Sequence, residues 1–217
     1  MGAESAKINY SIFGEKNNHE PFRLLDKNTG YVQGNKLKKE NMESLKRLFA
    51  GTKGMIVDMR GYPIDDLNAT ISQYILGSPT PFVKVSSGSI ETPGQFTMTS
   101  AIATGTKNPS HYKGKVIVLV NEITQSNAEF VTMAFQSSGR TMVIGSTSAG
   151  ADGNISMINL PGGFSTYFSG LGIYYPDGTN TQQTGLKIDQ TVRQTIKGVA
   201  AGVDELLERA KKIIIED

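Results

Sequence analysis

The sequence contains no cysteine, no tryptophan and only two histidines. Without cysteine there is no disulfide, no thiolate metal site and no cysteine nucleophile. His19 and His111 lie too far apart in sequence to form a ligand-spaced cluster, so neither a zinc site of the common type nor any cofactor is expected. Long apolar runs are also missing, which excludes a transmembrane helix as main content. Neither sign of charge dominates: 22 Lys and Arg face 20 Asp and Glu, for a formal net charge of +2. The basic residues are scattered, so no footprint for nucleic acid or an anionic membrane is present. What remains is a globular chain of 217 residues, 38% hydrophobic, long enough for one sizeable core, with 24 glycines that predict many tight turns. Met1–Ser5 has no charged segment followed by an apolar one, so no secretion signal is read there.

The pattern of apolar residues predicts an α/β fold. Residues 7–13 and 30–33 read as short strands, and Lys36–Ala50 as a helix with Met42, Leu45 and Phe49 on one face. Gly54–Met59 and Lys115–Asn121 are apolar runs too short for helices, hence buried neighbouring strands of one sheet. A helix is expected over Asp66–Leu76, strands within Pro81–Ser100, and a polar loop over Ala101–Tyr112. Ser126 opens an amphipathic helix that stops near Gly139, and Thr141–Gly145 is a further buried strand. Asn154–Tyr175 reads as one antiparallel unit, and Gly202–Ile214 as a closing helix. The alternation of strand and helix through the middle implies buried, mostly parallel strands joined by crossover helices.

Chemistry is most readable at the junction Asn121–Glu129. A serine at a helix N-terminus just beyond a buried strand is rigidly held, feels the positive end of the helix dipole, and has free backbone N–H groups beside it. Those are the conditions for a nucleophile at Ser126 and an oxyanion donor in the backbone of Asn127. The same residues, Ser-x-x-Glu, also spell a capping box in which Ser126 has no chemical role.

Several stretches in order resemble the S41 serine peptidases, the family of tail-specific, carboxyl-terminal processing and tricorn core proteases. They are Gly30-Tyr31, Met55–Arg60 with Pro63, Gly114–Asn121 running into Ser126–Glu129, and Gly139-Arg140 with the strand to Gly145. The loop through Gly150, Tyr174–Gly178, Gly185 and Asp189 complete the set. The resemblance implies a ClpP/crotonase-like core over residues 30–217, with residues 1–29 an N-terminal strand and loop linked to an upstream domain. It implies hydrolysis of peptide bonds in a peptide or unfolded protein, no cofactor, and a compartment that for this family is often outside the cytoplasm. The upstream domain and a second copy of the chain are further candidate partners.

By the same resemblance the nucleophile position is Ser126 and one oxyanion donor is the Asn127 N–H. The second donor falls after Arg60, where the family's Gly-Gly pair is replaced by Ile64-Asp65, leaving Gly61 as the candidate. The lysine base of the processing branch is replaced by Ala151. The tricorn-like branch takes a histidine from an upstream region, which implies a base outside this chain and little activity of the chain alone. The carboxylate with which that branch orients the histidine falls near Thr181–Thr184, where this chain has the amides Gln182 and Gln183, with Gln182 the candidate. The alternative is a non-catalytic peptide- or ligand-binding member of the fold.

Overall fold

Two runs in which every residue is buried or nearly so build the centre of the molecule. Gly54–Asp58 and Lys115–Val120 lie side by side and parallel, with Met55 opposite Val116 and Val57 opposite Val118. The computed structural model describes residues 20–216, so the strand expected over residues 7–13 lies outside the described residues. In chain order the first half holds β1 (Phe22–Asp26), β2 (Thr29–Gln33), a 3-10 turn (Lys39–Asn41), α1 (Met42–Phe49), β3 (Gly54–Asp58), α2 (Ile71–Ile75), β4 (Thr80–Gly88), β5 (Phe96–Met98) and β6 (Ile102–Thr104). The second half holds β7 (Lys115–Val120), α3 (Asn127–Gln136), β8 (Thr141–Gly145), β9 (Ile155–Leu160), β10 (Phe164–Ser169), β11 (Leu171–Tyr174), β12 (Gln190–Thr191), α4 (Ile196–Ala201) and α5 (Glu205–Ile215).

The main sheet has the order β1-β2-β3-β7-β8-β12, with every pair parallel except β1 with β2. Successive side chains point to opposite faces, so a strand covered on both sides must be apolar throughout. On one face Met55, Val57, Val116, Val118 and Val143 pack with Leu45 and Phe49 of α1, Ile71 and Ile75 of α2, and Val131, Ala134 and Phe135 of α3. On the other, Tyr31, Ile56, Ile117, Leu119 and Ile144 meet Leu206, Leu207, Ala210, Ile213 and Ile214 of α5. Gly145 ends β8 at φ 142°, where a Cβ would stand 1.9 Å from the Val120 carbonyl oxygen. Only glycine permits that approach, and it keeps β7 and β8 paired up to the end where the site begins.

Four expectations change in detail. The helix expected over Asp66–Leu76 is confined to Ile71–Ile75, because Asp65 and Asp66 use their carboxylates to hold the Asp66 and Ala69 N–H groups (2.8 and 2.9 Å) in turns that compete with helix. The loop expected over Ala101–Tyr112 contains β6, which pairs with β4. The expected single antiparallel unit over Asn154–Tyr175 divides. β9 and β10 form a hairpin, whereas β11 joins β4, which places Ile173 in the core while the hairpin's side chains remain largely exposed. The closing helix begins later than Gly202, which instead caps α4 in the left-handed conformation. Asp204 then starts α5 by accepting the Leu207 N–H at 3.1 Å.

Candidate active site

At the carboxyl ends of β3, β7 and β8 the chain leaves the sheet in three loops that surround a cleft of about 640 Å³. Such crevices are where open α/β sheets hold their ligands. Tyr62 comes from the loop after β3, Ser126 and Asn127 from the junction after β7, and Asp152, Gly153 and Asn154 from the loop after β8; Val85, Leu171 and Ile173 of the second sheet form the opposing wall.

Ser126 precedes α3 with φ 53° and ψ −124°. An ordinary cap residue has extended backbone. A positive φ in a serine costs roughly 1–3 kcal/mol and persists only where its surroundings enforce it. Here Thr124 anchors the turn: its hydroxyl donates to the Met59 carbonyl (3.0 Å), and its carbonyl accepts the Ala149 N–H (2.9 Å). The first-turn N–H groups of Ala128, Glu129 and Phe130 are committed to the carbonyls of Gln125 and Ser126. Asn127, the first helical residue, has an N–H with no intrahelical acceptor.

Glu129 joins the junction to the loop after β8. Its carboxylate is fully buried and accepts four hydrogen bonds, from the Ser126 N–H (3.1 Å), the Ser148 hydroxyl (2.6 Å), the Gly150 N–H (2.8 Å) and the Ala151 N–H (3.0 Å). The same loop is fastened on its far side, where Gln183 N–H donates to the Gly150 carbonyl (2.7 Å) and Leu186 N–H to the Ser148 hydroxyl (2.9 Å). The Ser-x-x-Glu spacing exposed only the local half of this arrangement.

Asp152 was not singled out by sequence; its signal was a lone carboxylate in a Gly/Ser/Ala loop after a buried strand. It is 3% exposed, its Oδ1 accepts the Gly153 N–H at 2.7 Å, and its Oδ2 has no partner among the described residues. Burial, with a smaller contribution from the Glu129 charge, pushes its carboxyl up to about 7 against the opposing Gly153 hydrogen bond. A carboxyl raised in the folded state stabilises the fold while protonated, and that contribution is lost as pH rises from about 4 through about 7. Asp152→Asn is therefore expected to be more stable than the wild type by up to about 4 kcal/mol at pH 8, an advantage that shrinks toward pH 4. Urea denaturation at pH 8 and pH 5 checks this; equal stability of the two proteins at pH 8 would refute it.

Gly61 does not adopt a positive φ, and a Cβ there would come 2.6 Å from Asn35 Nδ2, so packing against Asn35 is reason enough for glycine. Its neighbour Tyr62 lines the cleft, and Ile64 and Asp65 border an adjoining hollow with Asn127. Gln182 donates its Nε2 to the carbonyls of Asp152 and Leu171, both at 2.7 Å, and so braces two cleft-lining segments. Ala151 is exposed and offers no functional group. His111 precedes β7, with Nδ1 2.8 Å from the Asn108 carbonyl and Lys113 beside it. Roughly 17 Å of strand, at about 3.3 Å per residue, separates that end from Ser126. His19 lies outside the described residues. Among the described residues no group of three or more His, Asp or Glu could hold a metal ion.

The profile of Peptidase family S41 matches residues 28–192, well over half of the chain. The chain belongs to peptidase family S41. No curated protein sequence matches it. Among solved structures, a provisionally assigned peptidase from Parabacteroides merdae is 19% identical with a TM-score of 0.76, covering 89% of this chain and 64% of its own. Mature CPAF is 14% identical (TM-score 0.69; 87% and 52% covered), and the tricorn protease 19% identical (0.58; 87% and 18%). Likeness at that identity concerns the fold, and this S41 chain shares with them the mixed α/β, mostly parallel, ClpP/crotonase-like architecture. It spans about half to two thirds of the first two structures' lengths.

Proposed function

We propose that this S41 chain is a serine peptidase in which Ser126 attacks the scissile carbonyl of a peptide or unfolded protein segment lying in the cleft. The observation that supports this most is the backbone of Ser126: a strained, positive-φ serine between a buried strand and a helix presents its hydroxyl as a nucleophile does, and a mere cap has no need of the strain. The Asn127 N–H, at the positive end of α3, receives the oxygen as it becomes anionic. The cleft has the volume of an ordinary ligand site, and its polar groups converge from separate loops.

A fluorophosphonate, which phosphonylates activated serines with loss of fluoride, tests the reading. Labelling is expected at Ser126 and nowhere else, and Ser126→Ala is expected to abolish both labelling and any cleavage of unstructured casein, a loss of at least about 10³-fold. Peptide mapping of the adduct locates the residue. Absence of labelling in a folded protein would instead favour the non-catalytic binding member of the fold, with Ala151 where the processing proteases carry their lysine.

A further inference from the structure

A serine hydroxyl is a weak nucleophile until a base takes its proton. Among the described residues, neither position considered for a base supplies one: Ala151 has no basic group, and His111 stands at the opposite end of β7. The cleft nevertheless contains a carboxyl whose placement nothing in the packing explains. Asp152 is 3% exposed, lines the same cleft as Ser126, and leaves Oδ2 without a hydrogen bond among the described residues. A buried, unsatisfied carboxyl oxygen is costly, and such costs persist where function requires them.

The backbone holds the two residues together. Ser126 N–H and Ala151 N–H both donate to the same oxygen, Oε2 of Glu129, so their nitrogens stand no more than about 6 Å apart, and Asp152 is the next residue along. Gln182 fixes the Asp152 carbonyl and the Gly153 N–H fixes Oδ1, which leaves Oδ2 as the free acceptor. We propose that Asp152 is the general base of this site, taking the Ser126 proton on Oδ2. The inference rests on Ser126 being the nucleophile.

In the forward step the Oγ–H bond breaks and its proton passes to Asp152. Oγ bonds to the substrate carbonyl carbon, and the carbonyl π pair moves onto the oxygen that Asn127 N–H receives. Collapse breaks the C–N bond, and Asp152 returns its proton to the departing amine. Water then repeats the sequence on the acyl-enzyme, giving up its proton to Asp152, which delivers it to Ser126 Oγ as the acid product leaves. A base serves best when its pKa lies near the working pH, and burial beside the charge of Glu129 raises Asp152 to about 7. Tyr62 is the other titratable side chain lining this cleft, and it is half exposed.

The test is the rate of fluorophosphonate labelling of Ser126 from pH 5 to 9. The wild type should rise about tenfold per pH unit to an inflection near 7 and then level off, and a His19→Gln/His111→Gln double variant should keep that profile. Asp152→Asn should lose the inflection and label at least about 10²-fold more slowly at pH 8, while Asp152→Glu should recover part of the rate with a displaced inflection. Labelling of Ser126 without an inflection near 7, or an inflection that disappears in the double histidine variant or survives in folded Asp152→Asn, overturns the role of Asp152 and leaves the nucleophile standing. No labelling of Ser126 at any pH overturns both. Because the wild-type and histidine profiles decide the matter by themselves, a misfolded Asp152→Asn does not block the answer.

Discussion

Glu129→Ala is expected to destabilise the protein by roughly 3–5 kcal/mol and to abolish labelling of Ser126. The four hydrogen bonds its carboxylate accepts come from the Ser126 junction and from the loop that carries Asp152. Bonds to a charged acceptor contribute about 1.5–3 kcal/mol each, and removing this fully buried acceptor leaves the Ser148 O–H and three backbone N–H groups without it. Ser126 then loses what opposes the relaxation of its positive φ, so the chemical loss should exceed the loss of stability. Glu129→Gln separates shape from charge. It retains the volume, but its amide turns a donor toward N–H groups, and it should lose about 2–3 kcal/mol. Urea midpoints and labelling rates measured on the same samples give both readouts. A change below about 1 kcal/mol with labelling intact would show that Glu129 is not the brace between the two loops.

The second large effect lies beneath the site. Arg60 is buried after β3 and grips two carboxylates: Asp58, through Nε (2.9 Å) and Nη2 (2.7 Å), and Asp204, through Nη1 (3.0 Å) and Nη2 (2.7 Å). Tyr31 donates its hydroxyl to Asp58 at 2.7 Å. Burial opposes ionisation of Asp58, but the Arg60 guanidinium and the hydrogen bonds from Arg60 and Tyr31 outweigh it and hold the carboxyl below its ordinary value. A depressed carboxyl contributes stability that is present above about pH 4 and is lost as pH falls through the folded value. Arg60→Leu should therefore cost about 3–5 kcal/mol at pH 7, because Asp58 is left charged and unpaired. The loss should be smaller below pH 4, where the wild type also weakens. Because Asp204 starts α5, that helix should release first, seen as faster amide exchange over Glu205–Ile215. Asp58→Asn/Arg60→Leu should recover a substantial part of the loss, since the buried pair goes together and only the partly exposed Asp204 is left without its partner. Additive losses in the double variant would count against the ion pair as the cause.

Much of the frame follows from local rules. Gly54–Asp58 and Lys115–Val120 are too short for helices and apolar on both faces, so their place in a sheet covered on each side could be read directly. Ser126 stood out for the same reason, as a hydroxyl between a buried strand and an amphipathic run. Where polar side chains compete with the backbone, the reading lengthened an element, as at Asp65 and Asp66 ahead of α2. Very short strands such as β6 and β12 escaped it, because their partners, not their own residues, make them strands.

By itself, then, the sequence determined the α/β class, the central strands and the location of the serine, since each depends on periodicity or neighbours within a few residues. The tertiary structure decided the chemistry around that serine. Only the fold brings Ser148, Gly150 and Ala151 onto the carboxylate of Glu129, some twenty residues before them. Only packing withdraws Asp152 from water and leaves one of its oxygens without a partner among the described residues. The physical reason is that periodicity is a property of consecutive residues, whereas the strain of a backbone angle and the protonation of a carboxyl depend on groups that the chain brings together from afar.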